Sequence, residues 1–111
     1  MPKKIHRQLS EEGLRLVARQ FQVLSEPARL KLLAVLEEGE QNVTALVQLT
    51  GLSQANISKH LGILHDVGMV DRRKEGPSSF YFISDPKISE LCDLMCSKLE
   101  KEFDKKSTHF R

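Results

Sequence analysis

The residues best suited to chemistry in this chain lie between Leu52 and Leu64, where polar side chains share one side of a predicted helix. Leu52, Ile57, Leu61 and Leu64 recur at helical spacing and give that helix an apolar stripe to bury. Ser53 precedes it as a predicted N-cap. Its opposite face has no acidic residue and offers hydrogen-bond donors, acceptors and a cation, which suit base edges and phosphates. We therefore predict a DNA-recognition helix whose contact residues are Ser53, Gln54, Asn56, Ser58, Lys59 and His60. His60 stands on the rim of that face, where it could instead hold a phosphate or the neighbouring helix.

A second cluster of cations follows the predicted helix. Arg72, Arg73 and Lys74 stand on a short strand that leads to a turn at Gly76-Pro77, and a strand rich in aromatic residues comes after the turn. The pattern predicts a β-hairpin whose cations follow a phosphate backbone. The alternative is an ordinary edge strand protected by charge. The neighbouring recognition helix favours a DNA-binding wing.

Cys92 and Cys96 are a third candidate site. Their spacing of four residues places both sulfurs on one face of a predicted helix. Three interpretations stay open. The thiolates could chelate a soft ion such as arsenite, Cu(I) or Cd²⁺ with a third ligand from a partner subunit, or they could sense oxidants. They could also be packing residues, because Cys92 lies on an apolar seam with Ile88, Met95 and Leu99.

The elements that must position these residues follow from caps, breakers and periodicity. The second helix is expected to be capped by Ser25, to place Pro27 in its first turn and to bury Leu30, Leu33, Leu36 and, in part, Ala34. The order ααααββα is that of a winged helix-turn-helix, a mainly α fold with a small β-hairpin. The predicted helices run from Ser10 to about Leu24, from Ser25 to Glu38-Gly39, from Asn42 to Gly51, from Ser53 to Val67-Gly68, and onward from Asp85-Pro86.

Length and composition predict one small domain over residues 1–111, with flexible ends at 1–9 and 104–111. A hydrophobic content of 40% and a charged content of 29% are typical of a soluble globular protein. No apolar run approaches the ~20 residues of a membrane helix, and the basic start lacks the apolar core of a signal peptide, so we expect a cytoplasmic protein with no membrane partner. No catalytic triad or glycine-rich phosphate loop is present, which predicts that the protein is not an enzyme.

The assembled pattern resembles the ArsR/SmtB family of bacterial winged-helix repressors. The resemblance rests on LSEPARLKLLAVLEEGE at 24–40, GLSQANISKHLGILHDVGMVDRRKEG at 51–76 and FYFI at 80–83. It implies a homodimer, joined through the first and last helices, that binds an inverted-repeat operator in double-stranded DNA and represses transcription until an inducer, often a metal ion, releases it. By position it implies DNA contacts from Ser53, Gln54, Asn56, Ser58 and His60, with Arg73 and the wing on the backbone. The apolar faces of the two terminal helices, too wide for one small core, also favour the dimer.

The chain departs from the family's well-known sensors. Asn42, Val43 and Thr44 stand where one type has a Cys-x-Cys, so that site has no sulfur. Another type has histidine or carboxylate ligands along the last helix. There Asp85 is kept, but lysines that do not bind zinc stand at 87, 98 and 101. His6, His65 and His109 are too scattered to predict a metal site.

Three hypotheses follow. The first is a repressor released by a thiol-reactive signal at Cys92 and Cys96. The second is a repressor without a small-molecule input, controlled by its abundance or by a partner protein. The third is a winged-helix protein-interaction module that does not bind DNA. The sequence does not identify the inducer, the operator or the target genes, and it leaves activation open in place of repression.

Overall fold

Five helices and a three-stranded antiparallel sheet make up the part of the chain that the computed structural model describes, residues 8–105, with side chains as far as Phe103. The order is that of the predicted winged helix-turn-helix with one added strand, β1. The flexible ends predicted at 1–9 and 104–111 lie almost entirely outside the described residues, as do His6 and His109. The elements are α1 (Glu11–Leu24), α2 (Pro27–Leu36), β1 (Gln41–Asn42), α3 (Val43–Thr50), α4 (Gln54–Asp66), β2 (Val70–Glu75), β3 (Ser78–Ile83) and α5 (Pro86–Lys105).

Side-chain caps begin the helices where a polar residue precedes an apolar run. Ser10, Asn42 and Ser53 each accept a hydrogen bond from the backbone N–H three residues on, at 2.9, 2.8 and 3.1 Å. The predicted cap of α2 was wrong by one residue. Glu26 caps α2, and its carboxylate accepts from the N–H of Ala28 at 3.1 Å. Ser25 instead ends α1, because both its N–H and its hydroxyl donate to the carbonyl of Gln22.

The core is one apolar cluster to which α1, α2, α3, α4 and β2 contribute. Leu33 and Leu36 of α2 are buried as predicted, but Leu30 is 41% exposed, Ala34 is exposed and Leu32 is completely buried. The cause is that α2 is apolar on nearly all sides, so periodicity alone does not select its inner face. The buried residues are Val23, Leu32, Leu33, Leu36, Leu46, Ile57, Leu61, Leu64, Met69 and Val70.

The sheet has the order β1-β3-β2, so β3 lies between the other two strands. Asn42 of β1 and Arg73 of β2 both pair with Phe80 of β3, from opposite sides. Because side chains alternate along a strand, Arg72 and Lys74 lie on one face of β2 and Arg73 lies on the other. β1 was missed from the sequence because it has only two residues and pairs with a strand far along the chain.

Helices α1 and α5 leave large apolar side chains in solvent in this single chain. Phe21 on α1 is 55% exposed and Leu94 on α5 is 70% exposed. These faces include the residues that the sequence predicted to be in excess of the core. The other large apolar side chains exposed on these two helices are Leu14, Leu16 and Val17 on α1, and Leu91 and Met95 on α5. None of the helices within the described range is long and apolar enough to cross a membrane.

Candidate nucleic-acid interface

A tight turn between α3 and α4 sets the direction of the predicted recognition helix. Gly51 ends α3 with φ of 77°, a left-handed conformation that favours glycine, and its N–H donates to the carbonyl of Val47 at 2.9 Å. The buried Thr50 hydroxyl donates to the carbonyl of Leu46 at 2.6 Å and accepts from the N–H of Leu52 at 3.1 Å. These hydrogen bonds stabilise the end of α3 and the turn that leads into α4.

The predicted contact face of α4 is exposed, with one exception. Ile57, Leu61 and Leu64 are buried and fasten the helix to the core. The side chains of Gln54, Asn56, Ser58 and Lys59, together with the capping residue Ser53, lie in solvent. Apart from the Ser53 cap, these side chains form no hydrogen bond or ion pair with any described residue. Their donors and acceptors are therefore available to a ligand.

Two small residues on the same face were not singled out from the sequence. Ala55 and Gly62 are exposed and stand seven residues apart, so they share one side of α4. A Cβ added at Gly62 would meet no atom within 4 Å. The face therefore lacks bulk along its middle, which lets the helix backbone approach a groove closely. The sequence signal was the absence of large side chains rather than the presence of polar ones.

His60 is the exception, and its predicted contact with DNA is not supported by its position. The ring is buried, with 8% of its surface exposed, and its Nδ1 atom lies 3.2 Å from Nη1 of Arg29 on α2. A guanidinium can only donate, so Nδ1 accepts and the ring is neutral with its proton on Nε2. Burial, and then the charges of Arg29 and Lys59, lower the pKa of His60. His60 thus joins the recognition helix to its neighbour, the second role considered for it.

Arg29 extends this connection to a third helix. Its Nε donates to the carbonyl of Val23 near the end of α1, at 2.7 Å, while its Nη1 donates to His60 of α4. One side chain therefore ties α1, α2 and α4 together. The sequence carried no local signal for this role, because its partners lie 6 and 31 residues away.

The wing cations fall into two groups. Arg72 and Lys74 are exposed, and their side chains make no ion pair within the described range. Arg73 behaves differently. Its Nε donates to Oε1 of Glu40 at 2.7 Å, its Nη2 donates to the same oxygen, and its Nη1 donates to Oε1 of Glu75 at 3.2 Å. Its guanidinium also lies over the ring of Phe80, 4.9 Å from the centroid. The two carboxylates raise the pKa of Arg73, and together their charge exceeds that of its guanidinium.

The two cysteines are half-buried free thiols on α5. Burial raises the pKa of Cys92, and the negative charges of Glu37, Cys96 and Asp93 raise it further. The Cys92 thiol therefore keeps its proton at neutral pH. No group of three or more metal-ligating side chains occurs among residues 8–103. The carboxylate of Asp85, the one zinc-type position kept in the sequence, accepts from the N–H of Lys87 at 2.9 Å at the start of α5.

Comparison with known proteins agrees with this geometry. Residues 26–72 match the family described as bacterial regulatory protein, arsR family. A probable mercury resistance operon repressor from Streptomyces lividans is 39% identical over 74 residues, which cover 67% of this chain and 59% of that repressor. The crystal structure of Rv0081 from Mycobacterium tuberculosis is 32% identical with a TM-score of 0.78, covering 89% of this chain and 100% of that one. A homodimeric winged helix-turn-helix DNA-binding domain, Mb0332 from Mycobacterium bovis, is 27% identical with a TM-score of 0.73, covering 94% of this chain and 97% of that one.

Proposed function

Since this chain belongs to the ArsR family of bacterial regulatory proteins, we propose that it is a homodimeric repressor that binds an inverted-repeat operator through α4 and the wing. The family and the fold are those of transcriptional regulators rather than of enzymes. The observation that carries the proposal is the exposed face of α4, whose side-chain donors and acceptors have no partners among the described residues. Such a face would be costly to bury in a partner protein unless it were matched group by group, as base edges and phosphates can match it.

The exposed residues divide by chemistry into two tasks. The amides of Gln54 and Asn56 can each pair with an adenine edge through one donor and one acceptor, and Ser58 can bond to several bases. Lys59, Arg72 and Lys74 supply charge to phosphates and carry no sequence information. Ala55 and Gly62 allow the close approach that these contacts need.

The homodimer is supported by the apolar faces of α1 and α5. Phe21, Leu94 and their neighbours form more exposed apolar surface than scattered single side chains would. Pairing these faces across a two-fold axis removes them from water and places two copies of α4 in successive turns of one DNA groove. The homodimeric winged helix of Mb0332 is the matching precedent.

DNA binding can be tested by fluorescence anisotropy, with a duplex from the region upstream of the gene that encodes this protein. We expect salt-dependent binding that exceeds binding to a random duplex of equal length. Gln54→Ala should relax sequence preference, whereas Arg72→Ala should weaken binding to both duplexes alike and reduce the salt dependence. Absence of salt-dependent binding to either duplex would refute the proposal and favour a protein-interaction module.

For the signal, we propose a thiol-reactive agent at Cys92 and Cys96, with a soft metal or metalloid ion as its main class. Both sulfurs lie on one helix, and soft ions select thiolates by displacing the proton that Cys92 keeps. Two sulfurs do not complete a site, so a further ligand must come from the partner subunit or from solvent. The mercury resistance repressor of S. lividans is a relative whose name points to an ion of this class.

Titrating Hg²⁺, arsenite, Cd²⁺, Cu(I) and a mild oxidant into the reduced protein–DNA complex tests this signal. Release by one agent in the wild type, but not in Cys92→Ser/Cys96→Ser, would identify the class of signal. Binding that no agent disturbs would assign both cysteines to packing and favour a repressor controlled by abundance or by a partner protein.

A further inference from the structure

One cation of the wing, Arg73, already forms ion pairs within the protein. Arg73 contacts the carboxylates of Glu40 and Glu75, so the three side chains together carry one net negative charge. A phosphate near this cluster would be attracted by one guanidinium and repelled by two carboxylates at similar distances. The net interaction would therefore be repulsive. Arg72 and Lys74, on the other face of β2, have no such partners within the described residues.

The topology explains why Glu40 reaches Arg73. Arg73 on β2 and Asn42 on β1 pair with the same residue, Phe80, from its two sides. Glu40 stands two residues before Asn42 and immediately precedes the outer strand β1. The Arg73 side chain crosses the Phe80 ring and ends beside the Glu40 carboxylate. The guanidinium stacks on the Phe80 ring, and this stacking orients it towards the Glu40 carboxylate.

We propose that Glu40 withholds Arg73 from DNA, and that it thereby limits the number of phosphates the wing contacts. The proposal rests on the proposed DNA binding. β2 is an outer strand of the sheet, so a released Arg73 side chain can swing around the strand edge to the side of Arg72 and Lys74. Glu40 is accordingly a residue that sets affinity without touching DNA, and it acts through Arg73.

Glu40 and a DNA phosphate compete for Arg73, and the Glu40 ion pair is weak enough for its loss to have a modest, measurable effect on DNA affinity. The Arg73 and Glu40 side chains are 46% and 37% exposed, and ion pairs of that exposure are weak. Removing the competitor should therefore tighten DNA binding by about threefold to fivefold at 50 mM salt. One added phosphate contact also steepens the salt dependence, so the loss of affinity between 50 and 200 mM salt should grow by roughly threefold.

The test measures the affinity of the full chain for a random-sequence duplex across that salt range. We expect Glu40→Gln to bind more tightly and with a steeper salt dependence than the wild type. Glu38→Gln is the matched control, because it removes the same charge from the same acidic turn but from a residue with no ion pair to a described partner. It should leave the salt dependence unchanged.

A double-mutant cycle tests whether Arg73 causes the gain in DNA affinity that is expected for Glu40→Gln. Arg73→Ala should change the affinity little in the wild-type background, but it should cancel the gain in the Glu40→Gln background. A gain that persists in Glu40→Gln/Arg73→Ala, or weaker binding by Glu40→Gln, would overturn the proposal. If the wild type itself shows no salt-dependent binding, the proposed function fails. If the wild type binds but Glu40→Gln matches Glu38→Gln, only the inference about Glu40 fails.

Discussion

Replacing Arg29 by methionine should loosen the recognition helix, because one guanidinium holds α1, α2 and α4 together. Arg29→Met keeps much of the apolar stem but removes the bonds to Val23 and His60, at 2.7 and 3.2 Å. A hydrogen bond to a charged group contributes about 1.5–3 kcal/mol, and water can reach a half-buried site and restore part of it. We therefore expect the free energy of unfolding to fall by about 2–4 kcal/mol in urea titrations at fixed protein concentration.

The same substitution has a second signature in the imidazole of His60. Arg29 is one cause of the lowered pKa of His60, so an NMR pH titration should show that pKa rising in Arg29→Met. It should stay below 6.5, because burial, the larger cause, remains. Arg19→Met is the control, since Arg19 is exposed on α1 and makes only a 3.4 Å contact with Gln22. A loss below about 0.5 kcal/mol, together with an unchanged His60 pKa, would refute the role given to Arg29.

Three further predictions address the core, the pH response and the dimer. Ile57 is completely buried beneath the recognition face, so thermal or urea unfolding should show a loss of about 2–5 kcal/mol for Ile57→Ala and about 0.5–1.5 kcal/mol for Ile57→Val. Since the folded-state pKa of His60 lies below the unfolded value of 6.5, its contribution is complete above pH 6.5 and is lost as the pH falls towards the folded pKa. The loss of stability between pH 7 and pH 5 should thus be smaller in His60→Gln, and equal losses in the two proteins would argue against a buried neutral ring. Phe21→Glu should shift the protein to monomer in sedimentation equilibrium, whereas Leu49→Glu, on a side chain of α3 that is also 55% exposed, should not.

The parts of the fold that local chemistry determines were predictable from the sequence. Ser10, Asn42 and Ser53 cap helices because each needs only a backbone N–H three residues away. The error at Ser25 arose where two neighbouring residues could both cap and Pro27 admitted either choice. β1 was not predictable in this way, because its two residues become a strand only through pairing with β3.

For the candidate site, the sequence identified which face of α4 is exposed to solvent but not the state of every polar residue on it. Ile57, Leu61 and Leu64 mark the buried side, so the solvent side follows from helical geometry. Whether a polar residue at the boundary meets water or another helix depends on where that other helix lies. His60 lies at this boundary, one helical turn before the buried Leu64, whereas Lys59 lies near the middle of the exposed face. The helical projection does not contain Arg29, the partner 31 residues earlier in the chain that contacts the His60 ring.

Arg73 presents the same problem in the wing. Three consecutive cations look alike in the sequence, but strand alternation separates Arg73 from Arg72 and Lys74, and a carboxylate 33 residues earlier lies on its side. In both cases a long-range partner decides which polar groups stay available for DNA. The candidate interface thus consists of the exposed polar and charged side chains that have no ion pair or hydrogen bond with other described residues. A change in an internal partner such as Glu40 can therefore alter DNA binding as directly as a change in a residue that touches DNA.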